Sequence, residues 1–520
     1  MVLSSDYIFE INVIRNAFTR EIPNAWMLKK ITSIRNTDRC FMNNYNMVPS
    51  GLWLELIRVA KENNIVLNMT DAAQAFLAKF QLDYDSFKKY VDETFEGAVD
   101  EKDRPFKPYE YQIKAAYTLI RYKRCCGEIS TSGGKTLISF IIFKYLIEVV
   151  GIKNMLYIVP SVDLATQSAE KYELYESFLK NHKHSWEIGI LMSGLNKKQK
   201  EKVLSCNILF GTFQSLCRRD VEFFNKFTAC LCDEAHHGKS DSIKTIYNKL
   251  HNLEYSIGVT GTFPKENLYE YLVLQSYIGP VVYRFTADQL IHQEKRGTPI
   301  YPVFQIMDWA DKEEKQALYL LRANKDQTDI QAGNKILKQE RLFVNDSYTR
   351  LKFICDKVIQ TKKNALVLFG DIKYGYGKKL YDYIKENSDK DVYYVDGNIK
   401  NENRDYFKQC MEDDESGNTV IVASINTFGE GIDIRNLWSI FLVDTAKSER
   451  IVRQICGRGL RLYPGKDKVV LFDFVDDLRY TEDPQGRRFK DNYLWKHYNE
   501  RKKIYKEQKF PIYEQKIKFS

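Results

Sequence analysis

From Pro108 onward the chain repeats one pattern: a short continuous apolar run, a polar or turn-forming break, then a helix-length stretch. The runs include Met155-Leu156-Tyr157-Ile158-Val159, Ile208-Leu209-Phe210 and Ala229-Cys230-Leu231-Cys232, and later Ala365-Leu366-Val367-Leu368-Phe369, Thr419-Val420-Ile421-Val422-Ala423 and Ser439-Ile440-Phe441-Leu442-Val443. A strand that is apolar at every position must be covered on both faces, which is the condition of a parallel sheet wrapped by crossover helices. Two such series, 108–295 and about 345–478, predict two α/β domains in tandem. Residues 296–344 join them with a strand-like start and a charged helical stretch.

The pattern ahead of Pro108 differs. Tyr7-Ile8-Phe9-Glu10-Ile11-Asn12-Val13-Ile14 partly alternates and predicts a strand, Leu28 to Ile34 predicts another, and Asn36-Thr37-Asp38 has turn chemistry. Pro49-Ser50 starts a helix from Gly51 to about Asn63, with Leu52, Leu54, Leu56, Ile57 and Ala60 on its apolar side. Thr70-Asp71 opens a helical stretch to about Phe95. The charged segment Glu96 to Lys107, with Gly97 and Pro105, fits a linker.

Composition sets the scale. A chain of 520 residues exceeds what one core usually serves, so about three domains are expected. A hydrophobic content of 44% with 13% aromatics is ample for their cores. No apolar run reaches the ~18 residues of a membrane span, and Met1-Val2-Leu3-Ser4-Ser5-Asp6 lacks the shape of a signal peptide, so a cytoplasmic chain is expected. Ten cysteines at irregular spacing include no C-x-x-C pair, which favours reduced, mostly buried thiols over a zinc site. The net charge of +9 is modest, but residues 479–520 carry 12 Lys/Arg against 6 Asp/Glu, hence +6. Such an end is either a solvated helix face or a contact for a polyanion.

Candidate chemistry centres on Glu128-Ile129-Ser130-Thr131-Ser132-Gly133-Gly134-Lys135-Thr136, which leads into an apolar helix. Glycines let backbone N–H groups approach phosphate oxygens, and a helix N-terminus adds positive potential. Lys135 can reach the β and γ phosphates of ATP, and the Thr136 hydroxyl can ligate Mg²⁺. Ile129 stands at the first glycine position of the strict phosphate-loop pattern, so the match is incomplete. Asp233-Glu234 closes an apolar run 98 residues after Lys135 (233 − 135). There Asp233 can hold Mg²⁺ and Glu234 can polarise the attacking water; the competing reading is a polar turn after a buried strand. Gln454-Ile455-Cys456-Gly457-Arg458-Gly459-Leu460-Arg461 sets two arginines on one helix face, where they either stabilise a transferring phosphoryl group or are surface charge. With these groups in the second domain and the phosphate loop in the first, ATP is expected to lie between the two.

In this order the motifs resemble those of superfamily 2 helicases and translocases over about residues 105–475. The resemblance implies two RecA-like motor domains, with Tyr109 and Gln112 near adenine, and Gly133, Gly134, Lys135 and Thr136 on the phosphates. Ser161, Gln167, Thr212 and Gln214 are then expected on nucleic-acid phosphates from the first domain, and Ser424 and Thr427 from the second. Capping a helix is the competing reading for each of these hydroxyls, and for Ser161 it weighs nearly as much. His236, Thr260 and Thr262 are implied to couple the sites, with His236 linking Asp233-Glu234 to Gln454. Gly431 and Asp433 are implied on the nucleotide side of Ser424 to Ile434. Tyr109 stands where many relatives have arginine, and Ile425 where many have threonine.

Within that superfamily the chain is similar to the phage UvsW-type recombination helicases. The similarity rests on Thr131-Ser132 in the phosphate loop, on Met47-Val48-Pro49-Ser50-Gly51-Leu52 before a helix, and on Asn492-Tyr493-Leu494-Trp495-Lys496-His497 with Arg501, Tyr505 and Lys509-Phe510 beyond. It implies an ATP-driven, Mg²⁺-dependent enzyme acting on branched and single-stranded DNA, with RNA–DNA hybrids a further option. The expected layout is an N-terminal α+β accessory domain and linker (1–104), two motor domains (105–295 and 296–478) and a basic helical tail (479–520). Lys29, Lys30, Arg35 and Arg39 supply charge to the accessory domain. In the tail, Leu494, His497, Tyr498, Arg501 and Tyr505 share a helical stripe, which favours packing over base stacking. A monomer is compatible with this layout. Two other readings share parts of it: the motor subunit of a restriction or repair system, and a nucleic-acid-binding ATP switch without unwinding. Only about 40 residues follow the second α/β series, little room for a restriction subunit's nuclease.

Overall fold

The computed structural model describes residues 1–520 except 24, 26–36, 79–81, 181–185, 193, 195, 237–240, 264–268, 324–329, 371–374, 400, 429–433, 445–448, 481–490 and 520. It forms two compact units, Met1–Phe285 and Thr286–Ser520.

The first unit holds a seven-stranded, all-parallel sheet. Its strands are β3 (Arg124–Ile129), β4 (Met155–Val159), β5 (Ile188–Leu191), β6 (Ile208–Thr212), β7 (Ala229–Asp233), β8 (Tyr255–Thr260) and β9 (Val281–Phe285), in the order β5-β6-β4-β7-β8-β3-β9. Every residue of β4, β6, β7 and β8 is buried, as continuous apolar runs require, whereas the edge strand β5 mixes buried and half-buried positions and β9 adds the exposed Arg284. The helix Lys135–Glu148 is buried over Leu137–Leu146. Its one inward cation, Lys144, is met by Glu176 at 3.1 Å and Glu148 at 2.7 Å.

The N-terminal segment belongs to this unit. Its short strands β1 (Thr19–Glu21) and β2 (Asp38–Cys40) pair antiparallel. Tyr7–Ile14, expected as a strand, lies in a helix at Ile8–Ala17. The 3–4 spacing of Ile11, Ile14 and Phe18 outweighs the local alternation, because that spacing places them against Leu52, Leu56 and Val59 in one core. The expected strand over Leu28 to Ile34, with Lys29, Lys30 and Arg35, lies outside the described residues, while Arg39 is exposed on β2. The predicted helix after Pro49 forms as a 3₁₀ turn, Ser50–Leu52, continued by Trp53–Glu62. The stretch after Thr70 divides into Asp71–Ala78 and Tyr84–Thr94, the second capped by Asp83, which accepts the Ser86 N–H at 2.8 Å. The expected linker Glu96–Lys107 is folded instead: Val99 bridges Pro105, Ala98 is buried, and Phe106 packs on Tyr175 and Phe178. Its apolar residues join the core of the parallel sheet, which a count of charges does not reveal.

The second unit repeats the design. Its strands β10 (Ile300–Trp309), β11 (Ala365–Phe369), β12 (Asp391–Val395), β13 (Thr419–Ser424), β14 (Ser439–Leu442), β15 (Val469–Asp477) and β16 (Tyr513–Phe519) run parallel in the order β12-β13-β11-β14-β15-β10-β16. The C-terminal segment is therefore more than a helical tail. It adds the helix Tyr493–Glu507 and then β16, an edge strand on β10. The helix buries Leu494, His497, Tyr498, Arg501 and Tyr505, the stripe expected to pack. Arg501 is buried with its guanidinium on Asp473, at 2.7 Å, and the Tyr505 hydroxyl donates to the same carboxylate at 2.9 Å.

Candidate functional site

The C-terminal ends of five adjacent strands of the first sheet carry most of the candidate residues. In spatial order they are Thr212 at the end of β6, Ser161 just after β4, Asp233 at the end of β7, Thr260 at the end of β8, and Ser130 just after β3. Ligands of open α/β sheets bind at this edge, because the loops there and the helix N-termini converge.

The loop Ser130–Gly134 is held tightly. The Ser130 N–H donates to the Phe285 carbonyl at 2.8 Å, and the Gly133 N–H donates to the Ser130 carbonyl at 2.9 Å. Gly134 caps the helix that begins at Lys135 in the left-handed region (φ 79°), and a Cβ there would meet Gln112 Nε2 at 2.2 Å. Gln112 is itself buried; its Oε1 accepts the Tyr109 N–H at 2.9 Å, and its Nε2 points to the Gly133 carbonyl at 3.5 Å. The expected adenine-side residues and the phosphate-loop glycines are thus one packed group. The Tyr109 ring is partly exposed and stacks on Tyr111, which stacks on Phe285 at 4.1 Å and 2°.

Asp233 and Glu234 stand beside this loop. Lys135 Nζ is 3.3 Å from Glu234 Oε1, and His236 Nδ1 is 3.3 Å from Glu234 Oε2. His236 Nδ1 and the Thr260 hydroxyl share a hydrogen bond of 2.8 Å, and Thr260 in turn donates to the Thr262 carbonyl at 2.9 Å. Glu234 adopts a left-handed backbone (φ 47°), as does Ser132 in the loop (φ 72°). Left-handed conformations cost a non-glycine residue of order 1 kcal/mol and concentrate at working sites. Burial and the adjacent Glu234 charge push the Asp233 carboxyl up to about 6. Burial acts on Glu234 as well, but the Lys135 and His236 charges overcome it and hold that carboxyl below the usual range.

One partner escaped the motif analysis. The Tyr157 hydroxyl, buried in β4, donates to Asp233 Oδ2 at 3.3 Å, while Asp233 Oδ1 accepts the Glu234 N–H at 2.8 Å. Tyr157 carries the sole polar atom of an otherwise apolar strand, a signal available in principle. Gly261, between Thr260 and Thr262, belongs to the same site. A Cβ there would stand 3.2 Å from Thr131 Oγ1 and 3.5 Å from Lys135 Nζ, so a side chain would crowd the loop.

The remaining candidates divide by unit. Ser161 accepts the Leu164 N–H at 3.3 Å and Thr212 accepts the Ser215 N–H at 3.2 Å, so both cap helices. Gln167 lies on the helix Val162–Ser177, and Gln214 is exposed beside Thr212. Ser424 is buried, accepts the Thr427 N–H at 3.2 Å and donates to the Thr427 hydroxyl at 2.6 Å. Gln454 and Arg458 lie on the helix Glu449–Gly459 and Arg461 just beyond it, where the Thr298 hydroxyl donates to the Arg461 carbonyl at 2.9 Å. Gly431 and Asp433 lie outside the described residues. Among the described residues no helix is long and apolar enough to cross a membrane.

Residues 105–265 match the family described as type III restriction enzyme, res subunit, and residues 349–463 match the helicase conserved C-terminal domain. The two matched domains make the chain a superfamily 2 helicase, an ATP-hydrolysing enzyme. Within that class it resembles the ATP-dependent DNA helicase uvsW of Enterobacteria phage T4, to which it is 28% identical over 416 residues, 78% of this chain and 77% of that protein. It is also 27% identical over 183 residues to the DNA 3'-5' translocase XPB2 of Sulfurisphaera tokodaii, a match spanning 35% of this chain and 36% of that protein. A fragment of an HsdR subunit of a type I restriction enzyme from Vibrio vulnificus shares the fold, with a TM-score of 0.52 at 18% identity over 83% of this chain and 73% of that one.

Proposed function

We propose that this helicase is a Mg²⁺-dependent motor for branched DNA, acting on Holliday junctions, regressing forks and unwinding D-loops or R-loops. The observation that carries the ATPase half is the meeting of Lys135 with Glu234 at 3.3 Å beside the Gly133-Gly134 turn. In this reading Gly133, Gly134 and Lys135 hold the phosphates, Gln112 and Tyr109 face the base, and Glu234 polarises the attacking water. Arg458 and Arg461 stabilise charge on the transferred phosphoryl group, with Gln454 ordering the same surface. His236, Thr260 and Thr262 relay the state of the γ-phosphate through the hydrogen bonds that start at Glu234.

The donor set suits the metal. Asp233 is a buried carboxylate whose ionised form lacks full compensation, so a divalent cation at its oxygens restores the charge balance. Thr136 and Asp233 would hold it, and Mg²⁺ there would neutralise charge on the phosphates.

Support for branched DNA comes from the similarity to the UvsW type over most of the chain. Ser161, Gln167, Thr212, Gln214, Ser424 and Thr427 would contact strand phosphates, a mode indifferent to sequence and suited to movement along DNA. The test compares ATPase stimulation by single-stranded, duplex, forked and four-way DNA and by RNA. Forked and four-way DNA should stimulate most. Equal stimulation by plain single strands would remove the branched-DNA reading and leave a general translocase.

A further inference from the structure

A half-open cavity of about 480 Å³ lies where the N-terminal segment meets the first parallel sheet, at the end opposite the phosphate loop. Arg124 opens β3 and Ile129 closes it, so the two ends of that strand are roughly 17 Å apart. Phe41 and Ser50 line it from the N-terminal segment, Lys244 and Tyr247 from the helix Asp241–Tyr247, Tyr269 and Tyr277 from the helix Tyr269–Tyr277, and Arg124 from the start of β3. Its volume falls within the range of small-molecule sites.

The charges are one-sided. Among the described residues, Arg124 and Lys244 line the cavity and no carboxylate does. Lys244 pairs at 3.1 Å with Asp241, whose side chain is 96% exposed, so water screens that pair. Arg124 is half-buried, and among the described residues its guanidinium makes one hydrogen bond, Nη2 to the Leu253 carbonyl at 3.1 Å, and no ion pair. Burial pulls its pKa below the ordinary guanidinium value, with Tyr247 and Cys230 opposing the shift. A cation withdrawn from water without a counter-charge is costly, and an anion entering the cavity removes that cost. Guanidinium forks match phosphate oxygens in geometry, and tyrosine rims suit a flat body attached to the phosphate.

We infer that this cavity is a second anion site, separate from the ATP site, that takes a small phosphate-bearing molecule with Arg124 and Lys244 as its cations. The walls come from both the N-terminal segment and the helix Tyr269–Tyr277, so occupancy ties the two together. They are already close, since a Cβ on Gly51 would meet the Gln275 carbonyl oxygen at 2.0 Å.

The experiment uses the full chain carrying Lys135→Ala, which disables the phosphate loop, titrated by calorimetry with inorganic phosphate and separately with a nucleoside monophosphate. Saturable binding of at least one probe is expected, weakened about tenfold or more by added Arg124→Gln and by a smaller factor by Lys244→Gln. Tighter binding of the nucleotide assigns the tyrosine rim to a base; equal binding assigns the site to phosphate alone. If Arg124→Gln fails to fold, Lys244→Gln decides. No saturable binding, or binding that Lys244→Gln and a folded Arg124→Gln both leave unchanged, overturns the inference.

Discussion

The Lys135 ammonium lies 3.3 Å from Glu234 Oε1, although the strands that lead to these residues, β3 and β7, are not neighbours. β8 lies between them, and its end supplies Thr260 and Gly261 to the same spot. A side chain on Gly261 would crowd Thr131 and the lysine, so a glycine there keeps the approach open.

Two substitutions divide binding from hydrolysis at that contact. Lys135→Ala should lower DNA-stimulated ATP turnover by on the order of 10²-fold or more, since it removes a preorganised cation from the phosphates. Glu234→Gln should leave nucleotide binding near the parent value while turnover falls about 10²–10⁴-fold, the usual scale of a lost general base. Steady-state ATPase with parallel nucleotide titration checks both. Normal turnover in either variant would contradict the assigned role.

The raised pKa of Asp233 gives a signed pH effect. Its folded value of about 6 lies above the ordinary aspartate value of 3.8, so the folded chain holds this proton more tightly. The resulting stability is fully present below pH 3.8 and is lost as pH rises through about 6. Asp233→Asn cannot ionise. In metal-free buffer it should therefore melt higher than the parent at pH 8, and this advantage should shrink towards pH 4, while ATP hydrolysis is lost. Melting curves that differ by the same amount at both pH values would rule out the burial argument.

Gly134 cannot accept a side chain cheaply. Gly134→Ala meets Gln112 Nε2 and must hold a left-handed backbone, which together should cost about 1–3 kcal/mol and displace Gln112. Weaker ATP binding and a lower unfolding midpoint are expected together. A variant that binds ATP as the parent does would show that the Gln112 contact is slack.

The basic C-terminal helix makes a different prediction. Arg501 is spent on Asp473, so Arg501→Ala should destabilise the chain by about 3–5 kcal/mol by leaving a buried carboxylate unpaired. Under conditions where it stays folded, the salt dependence of DNA binding should not change. Loss of a phosphate contact would instead reduce the log–log slope by about 0.9.

The sequence by itself determined the two parallel sheets, because strands such as Met155–Val159 and Ala365–Phe369 are apolar at every position and only burial on both faces accounts for that. It also set Gly134-Lys135, Asp233-Glu234 and Arg458…Arg461 in the order expected of a phosphate site. Only the tertiary structure decided the rest. Tyr7–Ile14 alternates locally, yet becomes helical because Ile14 and Phe18 are drawn into a core with Leu56 and Val59. The strand Tyr513–Phe519 is mostly exposed, so its pattern carries little apolar signal, and backbone pairing with β10 places it. The Tyr157 bond to Asp233 depends on β4 and β7 being adjacent in space, while the residues are far apart in the chain. Local pattern records what each segment must bury; which segments meet is set by the order of strands in the sheet, a property no single segment contains.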